Sequence, residues 1–532
     1  MYLVISRKER RLLGVTVSKR CGTWFFTGSL IRKMRQKTRK GIIALHIILY
    51  CALFLWFYPS IPQISDESEY FRNAVLLAQG SIGTTAPEYA YNYVGAGSMF
   101  VSRYPLTASM FLVPLVQIGI WALFLFGFFF YLIGLYFLLL LLKSAKLSPL
   151  WSLLYVSYLP FIFHSTTVMT DLPSAALIVG MLHFYYNKRF VHAGIFGALS
   201  LLLRVTNVLA IGALFLVLIS ERPSWRDVKR IASRMGIPLL VCIGILAVQN
   251  KVMYGSAFAS GYGFLKNNVQ FLWDRPEFLQ LVLQNMRNYV LMLNLLYPLM
   301  LLCAIIAKYP LKKFTLLYAA LLLAFVSLVN NLPGFDLQSL IIDYRYVFPL
   351  IPFLFVGYAA FIKQQVIPRS TFLKRHGEKV LATGCMLLLL SAIPMLSMKQ
   401  EASERTRAIV DDLYQHTDSG SLIIGTQEGS YFNEQFGKRG YISLLRPVAF
   451  DNSEELAAEK IKEYLDAEHK VYLLFVDAPH YDYKRGISKT KENLEAIQTT
   501  HASTEVYSKV YGLEGAGYAN AINVTLVEIK SQ

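Results

Sequence analysis

The sequence has little charge and few cysteines for its length. Of its 532 residues, 16% are charged and 55% are hydrophobic, and the mean hydropathy is +0.42. This composition argues against an ordinary soluble enzyme and is typical of a protein with many membrane-spanning helices. The five cysteines form no CxxC pair and no Cys/His metal spacing. We therefore expect neither a disulfide framework nor a zinc site.

Acidic residues are almost missing from residues 1–40. This arm contains the single acid Glu9 and twelve basic residues. An arm with this charge beside an apolar run predicts a cytoplasmic N-terminal segment. Because basic membrane flanks also account for the net charge of +18, we expect no nucleic-acid partner.

Long apolar runs, each near the 20 or so residues that a membrane span needs, follow this arm. They are Gly41–Phe57, Ile120–Leu142, Pro149–His164, Leu172–Tyr186, Val191–Ile219, Ile237–Val252, Val290–Ala307, Phe314–Val329, Tyr346–Ile362 and Val380–Met398. The run from Val191 is long enough for two short passes, which gives about eleven transmembrane helices. The run Pro105–Gly119 is predicted to be an interfacial or half-inserted helix, because counting it as a span would invert every later loop.

Basic residues fall in alternate loops between these runs, as one consistent orientation requires. The other loops then face outward. They are the segment after Pro59, His164–Asp171, Met253–Arg287, Asn330–Arg345 and everything after Lys399. The predicted fold class is a polytopic α-helical membrane protein, with residues 41–398 in its membrane domain.

Residues 399–532 have the composition of a soluble domain. The segments SLIIGT, GYISLL, KVYLLFV, TEVYSKVYGL and INVTLVEIK predict strands, and SEELAAEKIKEYLDA predicts an amphipathic helix capped by Ser453. We find no Gly-rich phosphate loop and no catalytic-triad spacing there. The segment is therefore predicted to be an accessory α/β domain on the extracytoplasmic face.

Two carboxylates, Asp66 and Glu67, come a few residues after the first apolar run. A carboxylate at a membrane boundary can serve as a general base that takes a proton from an acceptor hydroxyl. The alternative is that these acids only stabilise the start of a helix over Glu69–Gln79, with Ser65 or Asp66 as its N-cap. The local spacing leaves both interpretations open.

Three further polar residues lie in predicted outward loops, and each has a structural alternative. Arg103 in VSRYPLTASM can bind a phosphate, or its side chain can simply extend to the membrane interface. Asp171 in HSTTVMTDLPS can line a cavity or cap the following helix. Arg345 in LIIDYRYVFPLIP can serve a site or form a structural pair with Asp343. Arg204, inside an apolar run, costs about 2.5–3.5 kcal/mol to insert unless it is paired or lies near an interface.

Six motifs, taken in their order along the chain, resemble those of the C-type glycosyltransferase superfamily. They are the Asp-Glu pair before a Tyr and an LAQG helix end, Arg-Tyr-Pro-Leu, Thr-Asp-x-Pro, Arg-Val-Thr-Asn, NKVMYGSAFASGYG and DYRYVFPLIP. The similarity covers roughly Gly41 to Ile362. It is greatest to the branch that contains protein O-mannosyltransferases and aminoarabinose transferases. A single proline, Pro105, stands where relatives often have two.

The resemblance implies a membrane enzyme that transfers a sugar from a polyprenyl-phosphate carrier to an acceptor outside the cytoplasm. Asp66 would be its general base with Glu67 beside it, and Asp171 would be a second acid of the cavity. Arg103, Arg345 and Tyr346 are assigned to the donor phosphate. Tyr104, Tyr262 and Asp343 are assigned to the substrate cavity.

The expected partners are a polyprenyl-phosphate-linked sugar, membrane lipid, and an acceptor that is a protein, a glycolipid or a polysaccharide. We expect no organic cofactor and no dedicated metal site, although Asp66, Glu67 and Asp171 could together hold a divalent cation. The predicted location is a bacterial inner or plasma membrane. A transporter or flippase of lipid-linked sugars is the main alternative function, and a glycan polymerase or ligase and a non-catalytic scaffold are others.

Overall fold

A computed structural model describes residues 28–62, 64–86, 93–96, 99–259, 261, 276–295, 297–329, 343–425, 439–444, 453–477, 487–511 and 522–530. Helices make up most of the chain as far as residue 416. They are α1 (Gly28–Trp56), α2 (Ser65–Ala78), α3 (Leu106–Met110), α4 (Val113–Ile118), α5 (Leu125–Ser144), α6 (Leu153–Val156), α7 (Leu159–Ser165), α8 (Asp171–Tyr186), α9 (Phe190–Leu203), α10 (Val208–Ser220), α11 (Trp225–Tyr254), α12 (Phe278–Leu295), α13 (Met300–Ile306), α14 (Lys312–Leu328), α15 (Ile351–Phe361), α16 (Thr371–Leu390) and α17 (Ala392–His416). A 3-10 helix over Asp343–Leu350 precedes α15.

Five helical stretches within the described residues are long and apolar enough to cross a membrane. They are Gln36–Trp56, Ile120–Ser144, Trp225–Tyr254, Tyr344–Arg369 and Thr371–His416. Exposed side chains on α11, such as Leu240, Val248 and Val252, form an apolar surface suited to lipid contact. Other predicted spans are shorter or interrupted helices, so the total of about eleven remains a prediction.

The predicted span Pro149–His164 is interrupted near its middle. Helices α6 and α7 are separated because Pro160, in the first turn of α7, cannot continue the hydrogen-bond ladder of α6. The hydroxyls of Tyr131 and Tyr297 donate to the carbonyls of Val156 and Leu154, at 2.9 and 2.8 Å. These buried tyrosines satisfy backbone oxygens that a membrane interior cannot hydrate.

A second interruption divides the long apolar run after Val191. Arg204 adopts an extended conformation, with φ −150° and ψ 118°, between α9 and α10. The amide of Asn207 donates to the carbonyl of Ser200 at 2.7 Å and to the hydroxyl of Ser174 at 3.0 Å. The run therefore forms two short helices, with Arg204 at their junction.

The loop after α1, which the sequence predicts to face outward, contains α2 and a small antiparallel sheet. Its strands are β1 (Gly83–Thr84), β2 (Tyr93–Ala96) and β3 (Met99–Ser102), in the order β1-β3-β2. The α2 helix begins earlier than predicted. Ile64 is its N-cap, and the backbone N–H of Ile64 donates to the Glu67 carboxylate at 3.1 Å. Ser65 and Asp66 are therefore first-turn residues, and the expectation that one of them is the N-cap was wrong.

The segment Pro105–Gly119 forms two short helices, α3 and α4, rather than one continuous helix. Pro114 lies in the first turn of α4, and Gly119, at φ +142°, ends it in a conformation that favours glycine. Buried residues of α2, such as Phe71, share an apolar cluster with Ala108 and Leu112 of this segment.

The chain after α17 forms a five-stranded mixed sheet. Its elements are β4 (Leu422–Gly425), β5 (Gly440–Ser443), α18 (Ser453–Asp466), β6 (Val471–Asp477), α19 (Ile487–Thr499), β7 (Ala502–Tyr511) and β8 (Ile522–Lys530), and the strand order is β5-β4-β6-β8-β7. The β5-β4-β6 pairs are parallel, while β8 is antiparallel to β6 and β7. Ser453 is the first residue of α18. Ile409 and Leu413 of α17 pack on one face of the sheet.

Close packing at Gly127 of α5 holds the loop between α7 and α8 in place. A β-carbon at Gly127 would lie 2.7 Å from the carbonyl oxygens of Ser165 and Thr167. We therefore expect Gly127→Ala to lower the free energy of unfolding by about 1–3 kcal/mol, the usual cost of overpacking. Gly212 of α10 has no atom within 4 Å of such a carbon and provides the matched control.

Thermal unfolding in detergent measures the difference between the two alanine variants. Gly212→Ala should keep or raise the wild-type midpoint, because alanine favours helix without a clash. Equal midpoints for the two variants would contradict the role assigned to Gly127.

Candidate active site

Asp66 lies in the first turn of α2, and three residues from two other parts of the chain surround its carboxylate. The hydroxyl of Tyr104 donates to Oδ1 at 2.5 Å, and Nη2 of Arg345 donates to Oδ2 at 2.8 Å. Nη2 of Arg103 lies 3.9 Å from Oδ1. Asp66 is 16% exposed in this arrangement, so its carboxylate is paired with cations while part of it still faces solvent.

Arg345 connects the two acids of the site. It lies in the 3-10 helix that precedes α15. Besides its bond to Asp66, its Nε lies 3.9 Å from Oδ2 of Asp171. Its guanidinium also lies over the ring of Tyr346, 5.2 Å from the centroid. One cation therefore interacts with both carboxylates and with an aromatic face.

Asp171 is the first residue of α8, and its side chain is 1% exposed. Its Oδ1 accepts a hydrogen bond from Arg204 at the junction between α9 and α10. Arg204 also lies 5.3 Å from the ring centroid of Tyr346. This pairing explains how a charged residue can occupy an otherwise apolar run.

Arg103 and Tyr104 follow β3, and the strand fixes where they point. Nη2 of Arg103 donates to the Tyr104 hydroxyl at 3.0 Å, so the arginine is buried against the site. Tyr254 of α11 donates to the carbonyl of Ser102 at 2.7 Å. A β-carbon at Gly261 would lie 2.3 Å from the Arg103 backbone. Tyr254 and Gly261, two residues of the NKVMYGSAFASGYG segment, therefore pack directly behind the Arg103 loop.

The charged cluster comprises Asp66, Arg103, Asp171, Arg204 and Arg345. Each carboxylate lies between two guanidinium groups: Arg103 and Arg345 flank Asp66, and Arg204 and Arg345 flank Asp171. Three cations and two anions leave one net positive charge. A cluster with this balance is suited to an anionic ligand, in particular a phosphate that accepts hydrogen bonds from arginine.

Glu67 lies outside the charged cluster although it is the neighbour of Asp66. Its Oε1 accepts from the backbone N–H of Val168 at 2.8 Å, and its Oε2 accepts from Ile64. It is 1% exposed. These contacts join the start of α2 to the loop between α7 and α8, while the catalytic role predicted for Glu67 stays a prediction.

Two other predicted residues have no described side chain. Tyr262 lies outside the described residues, and of Asp343 only the backbone is described, as the first residue of the 3-10 helix. Within the described part of the chain, no group of three or more His, Cys, Asp or Glu residues could hold a metal ion.

Several residues around the site were not in the predicted set. The sequence indicated that Arg204 needs a partner, because inserting an unpaired arginine into a membrane costs free energy. It did not identify Asp171 as that partner. The hydroxyl of Tyr70 lies 3.4 Å from that of Thr170. Burial, and to a lesser extent the nearby Asp66, raises the pKa of Tyr70 well above its usual value. Lys399 follows the last predicted span, and the sequence did not predict its contacts with Thr166.

Asn73 is another residue that the sequence gave no reason to select. It lies two turns beyond Asp66 on the same helix, and it accepts from the Tyr93 hydroxyl at 2.8 Å. Its amide donates to the Ser102 hydroxyl at 2.8 Å, which in turn accepts from the backbone N–H of Tyr104 at 3.0 Å. Asn73 therefore sets the distance between α2 and the strand that leads to Tyr104.

Comparison with solved structures identifies the fold. ArnT from Cupriavidus metallidurans in the apo state aligns with a TM-score of 0.61 at 10% identity, over 91% of this chain and 98% of that chain. The same protein bound to undecaprenyl phosphate aligns with a TM-score of 0.62 at 11% identity, with the same coverage of both chains. The Archaeoglobus fulgidus oligosaccharyltransferase in the apo form gives 0.50 at 12% identity, over 91% of this chain and 74% of that chain.

No protein-family model matches the chain, and no curated protein matches it in sequence. At 10–12% identity the structural likeness establishes the fold alone. The neighbours belong to the superfamily that the six motifs indicated. The chain therefore has the fold of the C-type glycosyltransferases.

Proposed function

We propose that this protein is a membrane glycosyltransferase that moves a sugar from a polyprenyl-phosphate carrier to an acceptor hydroxyl on the extracytoplasmic face. The observation that carries the proposal is the Asp66 carboxylate, held between Arg345 and Arg103 at the start of α2. A base and a phosphate-binding cation side by side are what this transfer requires. Among the structural neighbours, ArnT has been solved with undecaprenyl phosphate bound.

The reaction we propose is a single inverting displacement. The acceptor oxygen attacks the anomeric carbon and gives its proton to Asp66, while the bond from that carbon to the phosphate oxygen breaks. The electron pair leaves with the phosphate. No separate acid is needed, because phosphate is already a good leaving group. Asp66 uses two hydrogen bonds, and a carboxylate has about four lone-pair sites, so an acceptor hydroxyl can still bind it.

The net charge of the cluster suits the leaving group. The donor is a phosphodiester with one negative charge, and its departure creates a monoester that gains negative charge. Arg345 and Arg103 would stabilise that charge, with Tyr346 holding the plane of the Arg345 guanidinium. Asp171 would keep Arg204 and Arg345 in position. We propose Tyr104 as the residue that orients Asp66 through their hydrogen bond.

A site at the membrane edge suits a donor with two very different ends. The polyprenyl tail stays in the bilayer, while the sugar reaches the aqueous face. We propose about eleven spans, a cytoplasmic N-terminus and an extracytoplasmic C-terminal domain, in a bacterial inner membrane. The identity of the sugar depends on the shape of its pocket, and the acceptor is a protein, a glycolipid or a polysaccharide.

Asp66→Asn should abolish sugar transfer while the protein still folds and inserts. Loss of a general base typically costs about 10²–10⁴ in rate. The assay offers purified protein in detergent a panel of radiolabelled polyprenyl-phosphate sugars, with a native membrane extract as acceptor. Asp411→Asn is the matched control, because Asp411 forms an exposed pair with Arg407 on α17. Full activity of Asp66→Asn would rule out the role of Asp66 as base.

The same assay separates the enzyme from a transporter. Release of sugar from one donor that depends on an acceptor and is lost in Asp66→Asn establishes both the reaction class and the donor. If the folded wild-type protein consumes no donor, a transporter or flippase of lipid-linked sugars becomes the better explanation.

Arg345→Gln should reduce kcat by about 10²–10³, the usual loss when one electrostatic stabiliser of a transition state is removed. It should also weaken binding of undecaprenyl phosphate, since one donor to the phosphate is lost. Arg345→Lys should be intermediate, because lysine keeps the charge without the planar fork. Arg407→Gln on α17 is the control. If undecaprenyl phosphate binds Arg345→Gln and the wild type equally, Arg345 does not hold the phosphate.

Cysteine labelling tests the proposed orientation. In a background without the five native cysteines, Lys37→Cys and Lys470→Cys each place one thiol at an exposed position. A membrane-impermeant maleimide added to spheroplasts with an intact inner membrane should label position 470 and leave position 37 unmodified. Labelling of position 37 alone would reverse the orientation and remove the site from the extracytoplasmic face.

A further inference from the structure

We propose that Lys399 of α17 is a positioning residue for the candidate active site, which makes the helix that carries the C-terminal domain part of that site. The inference rests on the proposed function. Lys399 is not one of the five residues of the charged cluster, and its contacts give α17 a task beyond joining two domains.

The ammonium group of Lys399 holds the end of α7. Nζ donates to the carbonyl oxygen and to the hydroxyl of Thr166, both at 2.7 Å, and it lies 4.6 Å from the ring centroid of Phe163. Thr166 is the C-cap of α7. A cation is favourable there, because the last carbonyls of a helix lack partners within it and carry partial negative charge.

The segment that follows this cap leads directly to Asp171. Lys399 holds it at Thr166, and the Glu67 carboxylate holds it at Val168 through a 2.8 Å bond from the backbone N–H. Lys399 and Glu67 therefore fix the short loop between α7 and α8, and with it the position of Asp171 relative to Asp66.

The same helix contacts the first outer loop one turn further on. The hydroxyl of Ser403 lies 3.0 Å from that of Ser60 and accepts from the Ser60 backbone N–H at 3.3 Å. Since Lys399 and Ser403 are four residues apart, they lie on one face of α17. That face therefore contacts both outer loops that carry the acids.

The far end of α17 is attached to the outer sheet. Oδ2 of Asp412 accepts from Tyr507 at 2.7 Å, Lys509 at 2.8 Å and Tyr511 at 2.5 Å, all on β7. From Lys399 to Asp412 the helix is continuous and spans about 20 Å at 1.5 Å per residue. One rigid element thus joins β7 to the loop that precedes Asp171.

The test compares Lys399→Met with Lys399→Arg in the full-length protein, in detergent. Methionine keeps the apolar stem and removes the cation and its N–H donors, whereas arginine keeps both. Hydrogen–deuterium exchange of residues 165–171 reports the loop directly, and the transfer assay gives kcat and the donor KM. Lys470→Met is the control, since Lys470 forms an exposed pair with Asp418 in the outer domain.

We expect Lys399→Met to raise amide exchange at residues 166–170 and to lower kcat about tenfold to a hundredfold, the range for a slightly misplaced catalytic group. The donor KM should change less than kcat, because Lys399 itself is not one of the residues assigned to the donor phosphate. Lys399→Arg should recover most of both properties. If Lys399→Met does not fold, Lys399→Gln, which keeps N–H donors without charge, is compared in the same way.

The inference is wrong if the neutral variant, Lys399→Met or Lys399→Gln, exchanges its amides at residues 166–170 at the wild-type rate. It is also wrong if that variant has the wild-type kcat. A loss of thermal stability together with normal kcat would overturn it too, because a purely structural contact predicts that result. If the wild-type protein transfers no sugar, the proposed function fails, and the exchange experiment still tests whether Lys399 holds the loop.

Discussion

The sharing of Arg345 between two carboxylates is the interaction on which the geometry of the site depends. Asp66 lies in the first turn of α2, and Asp171 is the first residue of α8. Desolvating such charges is costly, and a buried pair that loses one member costs about 3–5 kcal/mol. Each acid here has two cations beside it. The alternation of carboxylates and guanidinium groups brings distant parts of the sequence together. It still leaves one positive charge for an anionic ligand.

The helices that reach this cluster are short or broken, and the breaks have identifiable compensations. A carbonyl released from a helix inside a bilayer has no water to bind, so another part of the chain must supply a donor. Asn207 does so at the junction that presents Arg204, and Tyr131 and Tyr297 do so between α6 and α7. A helix break places Arg204 beside Asp171, and buried polar side chains satisfy the backbone groups that such breaks release.

Sequence patterns predicted the coarse fold because hydropathy and loop charge report directly on the bilayer. They also selected Asp66, Arg103, Asp171 and Arg345, which the structure brings into one cluster, although their catalytic roles remain predictions. Periodicity could not show which cation faces which acid, because those contacts join residues up to 279 positions apart. The start of α2 was predicted at the wrong residue because Ile64 is an unusual N-cap. The backbone N–H of Ile64 donates to the Glu67 carboxylate, and the sequence pattern had led Glu67 to be interpreted as a catalytic acid.

The continuity of α17 also restricts how this protein can evolve. One inserted residue in an α-helix turns everything beyond it by about 100° and advances it by 1.5 Å. An insertion between Ser403 and Asp412 would rotate β7 and its sheet around the bundle, or else pull Lys399 away from Thr166. Exchange of outer domains between relatives would therefore have to preserve the helical phase of this segment. Length changes should accumulate in the loops of the outer sheet and be rare in α17.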